Sequence, residues 1–117
     1  MKIYGIPNCD VTKKTFEWLK ANKIEFEFHD YKKKGISASK LKSWVNQAGM
    51  AAILNKRSTT WRGLSVEEQQ SINNQTDAIN LMANNNSLIK RPVIEADGKV
   101  VMIGFDENQY NLKLRDL

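Results

Sequence analysis

The stretch Tyr4-Gly5-Ile6-Pro7-Asn8-Cys9-Asp10-Val11-Thr12-Lys13-Lys14 is where an apolar segment gives way to an amphipathic one. Ile3, Tyr4 and Ile6 make a short apolar strand, and Gly5 and Pro7 interrupt it and shape a turn. Beyond the turn, Val11, Phe16, Trp18 and Leu19 fall on one broad helical face, with Lys13, Lys14, Glu17 and Lys20 on the other. Cys9 sits at the junction, so its thiol meets the first-turn N–H groups, whose partial positive charge favours thiolate over thiol. Lys13 and Lys14 add cationic charge one turn on. Cys9 is therefore either an activated nucleophile lifted to the surface or a small buried hydrophobe, as free cysteines often are.

Working outward, Asn22-Lys23 closes the helix, and Glu25-Phe26-Glu27-Phe28-His29 alternates with the period of a half-buried strand. Strand, helix and strand read most simply as a parallel βαβ unit. Asp30 to Gly35, with Lys32, Lys33 and Lys34, reads as a solvated loop. Ser37 is a good N-cap for a helix whose Leu41, Trp44, Val45 and Ala48 face inward, and Gly49 stands where a helix stop belongs. Met50 to Leu54 predicts a further helical turn. Asn55 to Gly63, polar and cationic without a period, predicts a loop of the kind in which function concentrates. Ser65 and Glu68 form a capping box for another helix. Thr76 or Asp77 caps the next, with Ile79, Met82 and Ala83 inward and Asn84 to Ser87 ending it. Pro92 to Ala96 and Lys99 to Ile103 flank Asp97-Gly98, the strongest short hairpin signal. Asp106 with Gln109 predicts a last cap, ahead of Tyr110, Leu114 and Leu117 on one face.

The order βαβ, helices, then ββα is the thioredoxin-like arrangement of the α/β class, with a helical insert at about residues 37–87 of a single domain spanning 1–117. The length of 117 residues suits one domain with a real core. A hydrophobic content of 41% with 26% charged residues reads as soluble and globular. No run reaches the ~18 apolar residues of a membrane span, so no membrane partner is expected. Met1 to Gly5 leads straight into the strand pattern with no apolar export segment. A single cysteine forms neither an internal disulfide nor a cysteine zinc cage, and a reducing cytoplasm fits it best. The net charge of +5 suits an anionic ligand and nucleic acid alike. The basic residues are scattered among loops rather than gathered on one helix, so nucleic acid is not the expected partner.

Thr12 stands three residues after Cys9, where a C-x-x-C oxidoreductase carries its resolving cysteine. A lone thiolate still forms a covalent adduct, which a thiol from elsewhere must release. Thr12 is either a hydrogen-bond donor to the sulfur or ordinary helix-start polarity. In thioredoxin-like folds the proline opening the hairpin strand is habitually cis and lies against the active cysteine, which assigns that place to Pro92. Arg91 then points its guanidinium at a ligand on the sulfur, suited to an oxyanion or carboxylate, or it is a solvated surface arginine. Arg57 and Arg62, bracketing Thr59-Thr60-Trp61, form a second anion-binding wall or surface charge, with Arg57 favoured because it follows the insert's first apolar turn. His29, the sole histidine, has no carboxylate–histidine motif near Cys9 and is given no catalytic role. No metal-ligand spacing and no Gly-rich phosphate loop is present.

Tyr4-Gly5-Ile6-x-Asn8-Cys9-Asp10 with Lys13-Lys14, His29-Asp30-Tyr31, Thr59-Thr60-Trp61-Arg62 and Ile89-Lys90-Arg91-Pro92 together resemble the ArsC/Spx family, and most closely its YffB-like branch of small bacterial proteins. The resemblance covers essentially the whole chain. It implies a thioredoxin-like fold and an arsenate reductase-like thiol chemistry, in which the cysteine forms an adduct resolved by glutathione and glutaredoxin. Carried over by position, Cys9 is the nucleophile, Arg57 the arginine after the first insert helices and Arg91 the one before the cis-proline. Arsenate reductases usually follow the cysteine with Gly-Thr-Ser-Arg, where this chain has Asp10-Val11-Thr12-Lys13, and carry a third arginine after the proline strand, where only Lys99 is a loose substitute. The expectation is a monomeric cytoplasmic glutathione-dependent thiol reductase without a permanently bound cofactor, taking glutathione as co-substrate at Arg57, Arg91, Lys13, Thr12, Pro92 and Asn8. The alternative the resemblance raises is a Spx-like transcriptional regulator that binds RNA polymerase, here without the C-x-x-C redox switch.

Overall fold

The computed structural model describes residues 1–72 and 74–115. In chain order its elements are β1 (Lys2–Gly5), α1 (Asp10–Ala21), β2 (Glu27–Asp30), α2 (Tyr31–Lys34), α3 (Ala38–Ala48), α4 (Met50–Ile53), α5 (Thr59–Gly63), α6 (Val66–Gln70), α7 (Gln75–Asn84), a 3-10 turn (Asn86–Leu88), β3 (Val93–Ala96), β4 (Lys99–Ile103) and α8 (Glu107–Lys113). They fall into two compact units, one made of Met1–Lys34 with the chain from Arg91 onward, the other of Gly35–Lys90. No helix among the described residues is long and apolar enough to cross a membrane.

The first unit is built on a four-stranded sheet in the order β2-β1-β3-β4. β1 and β2 run parallel, as the βαβ reading requires, and β1–β3 and β3–β4 are antiparallel. The hairpin turns at Asp97 (φ 52) and Gly98 (φ 77). Both central residues of the two-residue turn thus take the positive φ that matches strand twist. On one sheet face Ile3 and Ile94 are fully buried with Trp18 and Leu19 of α1 and with Tyr110 and Leu114 near the C-terminal helix. Each such side chain contributes about 1.5–3 kcal/mol by leaving water. Phe16 seals the edge, stacked on Phe26 and edge-on to Phe28 at centroid distances of 5.1 and 4.9 Å.

Several local expectations shift. Val11 is 37% exposed, whereas Thr12 and Thr15 are fully buried. The Thr15 hydroxyl is satisfied by the Val11 carbonyl at 3.0 Å and by the Tyr110 hydroxyl at 3.0 Å, so a polar side chain fills a core position. Asp30 to Gly35 is not all loop: the Asp30 carboxylate accepts the Lys32 N–H at 2.8 Å and starts the single turn of α2, with Tyr31 buried and the three lysines exposed. β2 begins at Glu27 rather than Glu25. Leu117 lies outside the described residues.

In the second unit, Ser37 caps α3 through the Lys40 N–H, and α3 packs on α4 and α7. Leu41, Trp44 and Val45 are buried, but Ala48 is exposed, because α3 ends there. α7 is capped by Asn74, which accepts the Asp77 N–H at 2.9 Å, rather than by Thr76 or Asp77. Ile79 and Met82 are buried as expected, and Ala83 is half-buried. The Ser65–Glu68 capping box is complete. Asn55 to Gly63 includes a helical turn, α5, because the Ser58 hydroxyl accepts the Trp61 N–H at 3.1 Å.

Candidate active site

β1 delivers the chain into a tight turn in which the Cys9 N–H bonds the Ile6 carbonyl at 3.3 Å, and the Cys9 carbonyl then accepts the Lys13 N–H at 3.0 Å. Cys9 therefore occupies the N-cap of α1, half-buried, with extended φ and ψ of −97° and 127°. As a thiol it closes no capping hydrogen bond. The groups turned toward its sulfur act on the thiolate. Burial pushes the thiol up, but the Thr12 N–H, the Arg91 guanidinium, the Thr12 hydroxyl and the Val11 N–H together outweigh it, and the group lies below its ordinary value.

Two features hold these donors in place. The Arg91–Pro92 peptide is cis, and the Pro92 carbonyl accepts the Gly104 N–H at 2.8 Å, so the residue preceding β3 is fixed against the sheet. Gly5, at the end of β1, lets Thr12 and Arg91 approach: a β-carbon there would lie 3.0 Å from Thr12 Oγ1 and 3.8 Å from Arg91 Cβ. Thr12 is fully buried and Arg91 half-buried, so neither is ordinary surface polarity.

The structure thus brings together Cys9, Thr12, Arg91 and Pro92 within the first unit. Asn8 is exposed on the turn before the cysteine, and Lys13 and Lys14 are exposed on α1. The two lysines are not among the groups that lower the thiol, contrary to the expectation that they add to its activation; the helix N–H groups and Arg91 do that work. Arg57 and Arg62 belong to the second unit, both exposed. Arg62 turns back on its own loop and donates to the Arg57 carbonyl.

Three residues escaped the sequence reading. Tyr4 and Glu95 are 2% and 4% exposed, and the Tyr4 hydroxyl donates to Glu95 Oε1 at 2.9 Å. Tyr31 is fully buried, and its phenol is pushed well up, first by burial, then by Tyr4 and Glu95 against the opposing charge of Arg91. The Tyr4 and His29 rings are 4.8 Å apart, which makes His29 part of this polar sheet face. The signal was there: a charged residue inside the apolar run Pro92–Ala96. Among the described residues no cluster of His, Cys, Asp or Glu could hold a metal ion.

A model of the ArsC family matches residues 4–112. The chain belongs to the ArsC family. This ArsC-family chain is 44% identical over 108 residues to an uncharacterized protein of Haemophilus influenzae, covering 92% of this chain and 93% of that one. It is 33% identical over 106 residues to a global transcriptional regulator Spx of Streptococcus pyogenes, covering 88% of this chain and 76% of the regulator. Among solved structures, a YffB protein superposes with a TM-score of 0.89 at 37% identity, covering 97% of both chains. An arsenate reductase (ArsC) related protein of Brucella melitensis does so with a TM-score of 0.75 at 40% identity, covering 95% of this chain and 91% of that one. The fold is accordingly the thioredoxin-like fold of the ArsC family, and its arsenate reductase-like neighbours point to oxidoreductase chemistry.

Proposed function

We propose that the protein is a glutathione-dependent thiol reductase in which Cys9 is the nucleophile. The thiolate attacks one sulfur of a disulfide, the S–S bond breaks, and the departing sulfur leaves as a thiolate that takes a proton from water. Cys9 is left in a mixed disulfide. With no second cysteine in the chain, since Thr12 occupies the usual resolving position, a glutathione thiolate attacks the mixed disulfide, releases Cys9 as thiolate and forms a new disulfide. A second glutathione thiolate attacking that new disulfide releases the remaining substrate thiol and leaves oxidised glutathione, so two glutathione thiols supply the two electrons that reduce the substrate. Glutaredoxin is the protein thiol that fits the same release step. The observation that carries this reading is the placement of the half-buried Cys9 thiol at the N-cap of α1, next to the Thr12 and Arg91 side chains that meet over Gly5. Arg91 suits a carboxylate of glutathione once that tripeptide is on the sulfur.

The test is the intact mass after incubation with oxidised glutathione. One glutathione on the wild type and none on Cys9→Ser is expected; an unmodified wild type would overturn the proposal. A second reading, a regulator that binds RNA polymerase, is favoured by the likeness to Spx. Retention of RNA polymerase on immobilised protein, together with failure to form the adduct, would establish that reading instead.

A further inference from the structure

We propose that Cys9, Thr12 and Arg91 also reduce small hydroperoxides, with glutathione as the reductant. Cys9 is the N-cap of α1 and Thr12 stands three residues on, so their side chains lie side by side across the first turn. At other helix starts of this chain the N-cap side chain is spent on the backbone: Ser37, Ser58, Ser65, Asn74 and Asp106 each accept an N–H of the turn they open. Cys9 closes no such bond. Thr12 is fully buried, and its hydroxyl stands over Gly5, across the same gap from the Arg91 β-carbon. No described residue meets that hydroxyl at hydrogen-bond distance and angle. Thr15, equally buried on the same helix, has both the Val11 carbonyl and the Tyr110 hydroxyl as partners. A buried hydroxyl without a partner is costly, so one kept beside a nucleophile calls for a ligand.

The chemistry of the pair selects that ligand. A threonine hydroxyl both donates and accepts. A disulfide has no donor at its sulfurs, whereas a hydroperoxide, R–O–O–H, carries its O–H on the very oxygen a thiolate attacks. The thiol is half-buried, which favours an electrophile of that size. As the S–O bond forms and the O–O bond breaks, the hydroxyl proton passes through the Thr12 hydroxyl to the departing oxygen. That oxygen leaves as an alcohol, or as water when the substrate is hydrogen peroxide. Arg91, charged at any working pH, suits the departing oxygen, on which negative charge gathers. Sulfur is oxidised by two electrons to sulfenate and the peroxide is reduced by the same two. The sulfenate takes a proton from water and condenses with glutathione, losing water and leaving Cys9 in a mixed disulfide. A second glutathione thiolate then releases Cys9 and leaves as oxidised glutathione.

The nucleophile is that of the proposed reductase, and the test separates the two activities. Wild type and Cys9→Ser are exposed to hydrogen peroxide with dimedone, which traps a sulfenic acid. One dimedone adduct is expected on wild type and none on Cys9→Ser. The rate of Cys9 oxidation by hydrogen peroxide is then divided by its rate of alkylation with iodoacetamide. Both are measured at about pH 9.5, above the ordinary thiol value near 8.5, so that Cys9 is thiolate in every variant. Thr12→Val and Thr12→Ala, which lack the hydroxyl, should lower this ratio by roughly three- to tenfold. Thr12→Ser keeps the hydroxyl and should restore the wild-type ratio. A ratio unchanged in the variants without the hydroxyl, or lowered as much in Thr12→Ser, would overturn the inference, as would a wild type without the dimedone adduct. A wild type that takes up glutathione from oxidised glutathione but no dimedone keeps the reductase and loses the peroxide reaction. The reverse result keeps the peroxide reaction and loses the reductase.

Discussion

Gly5 and Thr12 approach so closely that a β-carbon on residue 5 would lie 3.0 Å from the Thr12 hydroxyl oxygen. Gly5 has an ordinary negative φ, so it serves proximity and not backbone freedom. It ends β1 at the point where a side chain from the first turn of α1 packs against the strand.

Gly5→Ala therefore strikes the site through packing. Thr12 is fully buried and Arg91 Cβ lies on the other side of the same gap, so neither neighbour can give way freely. Overpacking of this kind costs about 1–3 kcal/mol, which thermal unfolding should register as a lowered midpoint. Displacing the Thr12 hydroxyl also removes one donor from the thiolate, so the midpoint of Cys9 alkylation against pH should rise. An unchanged alkylation midpoint in a folded variant would mean that the N–H groups and Arg91 suffice without that hydroxyl.

The Cys9 thiol links stability to pH in a definite direction. Its folded value lies below its ordinary one, so the folded state favours the deprotonated form. The stabilisation is fully present above the ordinary thiol value, about 8.5, and is lost as pH falls through the folded value. The difference in urea-unfolding free energy between wild type and Cys9→Ser should grow with pH up to the ordinary thiol value and then level off. A difference that is flat across this range would show that the sulfur is not stabilised as a thiolate.

Tyr110 gives the opposite slope. Burial, the leading cause, and the Asp106 charge raise its phenol to about 12 against the lowering effect of Thr15. Its hydroxyl bonds both Thr15 and the Gly104 carbonyl. A raised value means that the neutral form is favoured in the fold. This contribution is complete below the ordinary tyrosine value near 10 and is lost as pH rises toward 12. Tyr110→Phe should cost about 1–3 kcal/mol at neutral pH by leaving the Thr15 hydroxyl and the Gly104 carbonyl short of a partner. It should also flatten the loss of stability between pH 10 and 12. An equally steep alkaline loss in the variant would place the titrating group elsewhere.

These sites differ in how plainly the sequence displays them. Asp97-Gly98, Ser37, the Ser65–Glu68 box and Asp106 were legible because each is a short-range geometric demand met by specific residue types. Cys9, Thr12 and Arg91-Pro92 were legible because a helix start and a strand start each mark themselves in the chain. The single turns Tyr31–Lys34 and Thr59–Gly63 are too short to show a period. Val11 is exposed and Thr12 buried, because hydropathy cannot register that Thr12 packs over Gly5 and that Thr15 has Tyr110 as a partner. Glu95 is buried through a bond to a residue 91 positions away, a distance no local pattern spans.

Substrate choice is the last consequence of this donor set. Thr12, Val11 and Arg91 lower the thiol, and the sequence after Cys9 is Asp10-Val11-Thr12-Lys13 rather than Gly-Thr-Ser-Arg. No arginine lies between Arg91 and Arg115, and Lys99, the one cation on the hairpin, is exposed. Transfer of a doubly charged oxyanion to sulfur needs several donors fixed at once, since preorganised charge supplies much of the stabilisation. A disulfide carries no such charge at the reacting atoms and needs chiefly an activated thiolate. With glutathione and glutaredoxin present, little or no arsenate reduction is expected beside measurable reduction of small disulfides. Arsenate turnover comparable with disulfide turnover would overturn this ranking and mean that Lys13 or Lys99 completes an oxyanion site.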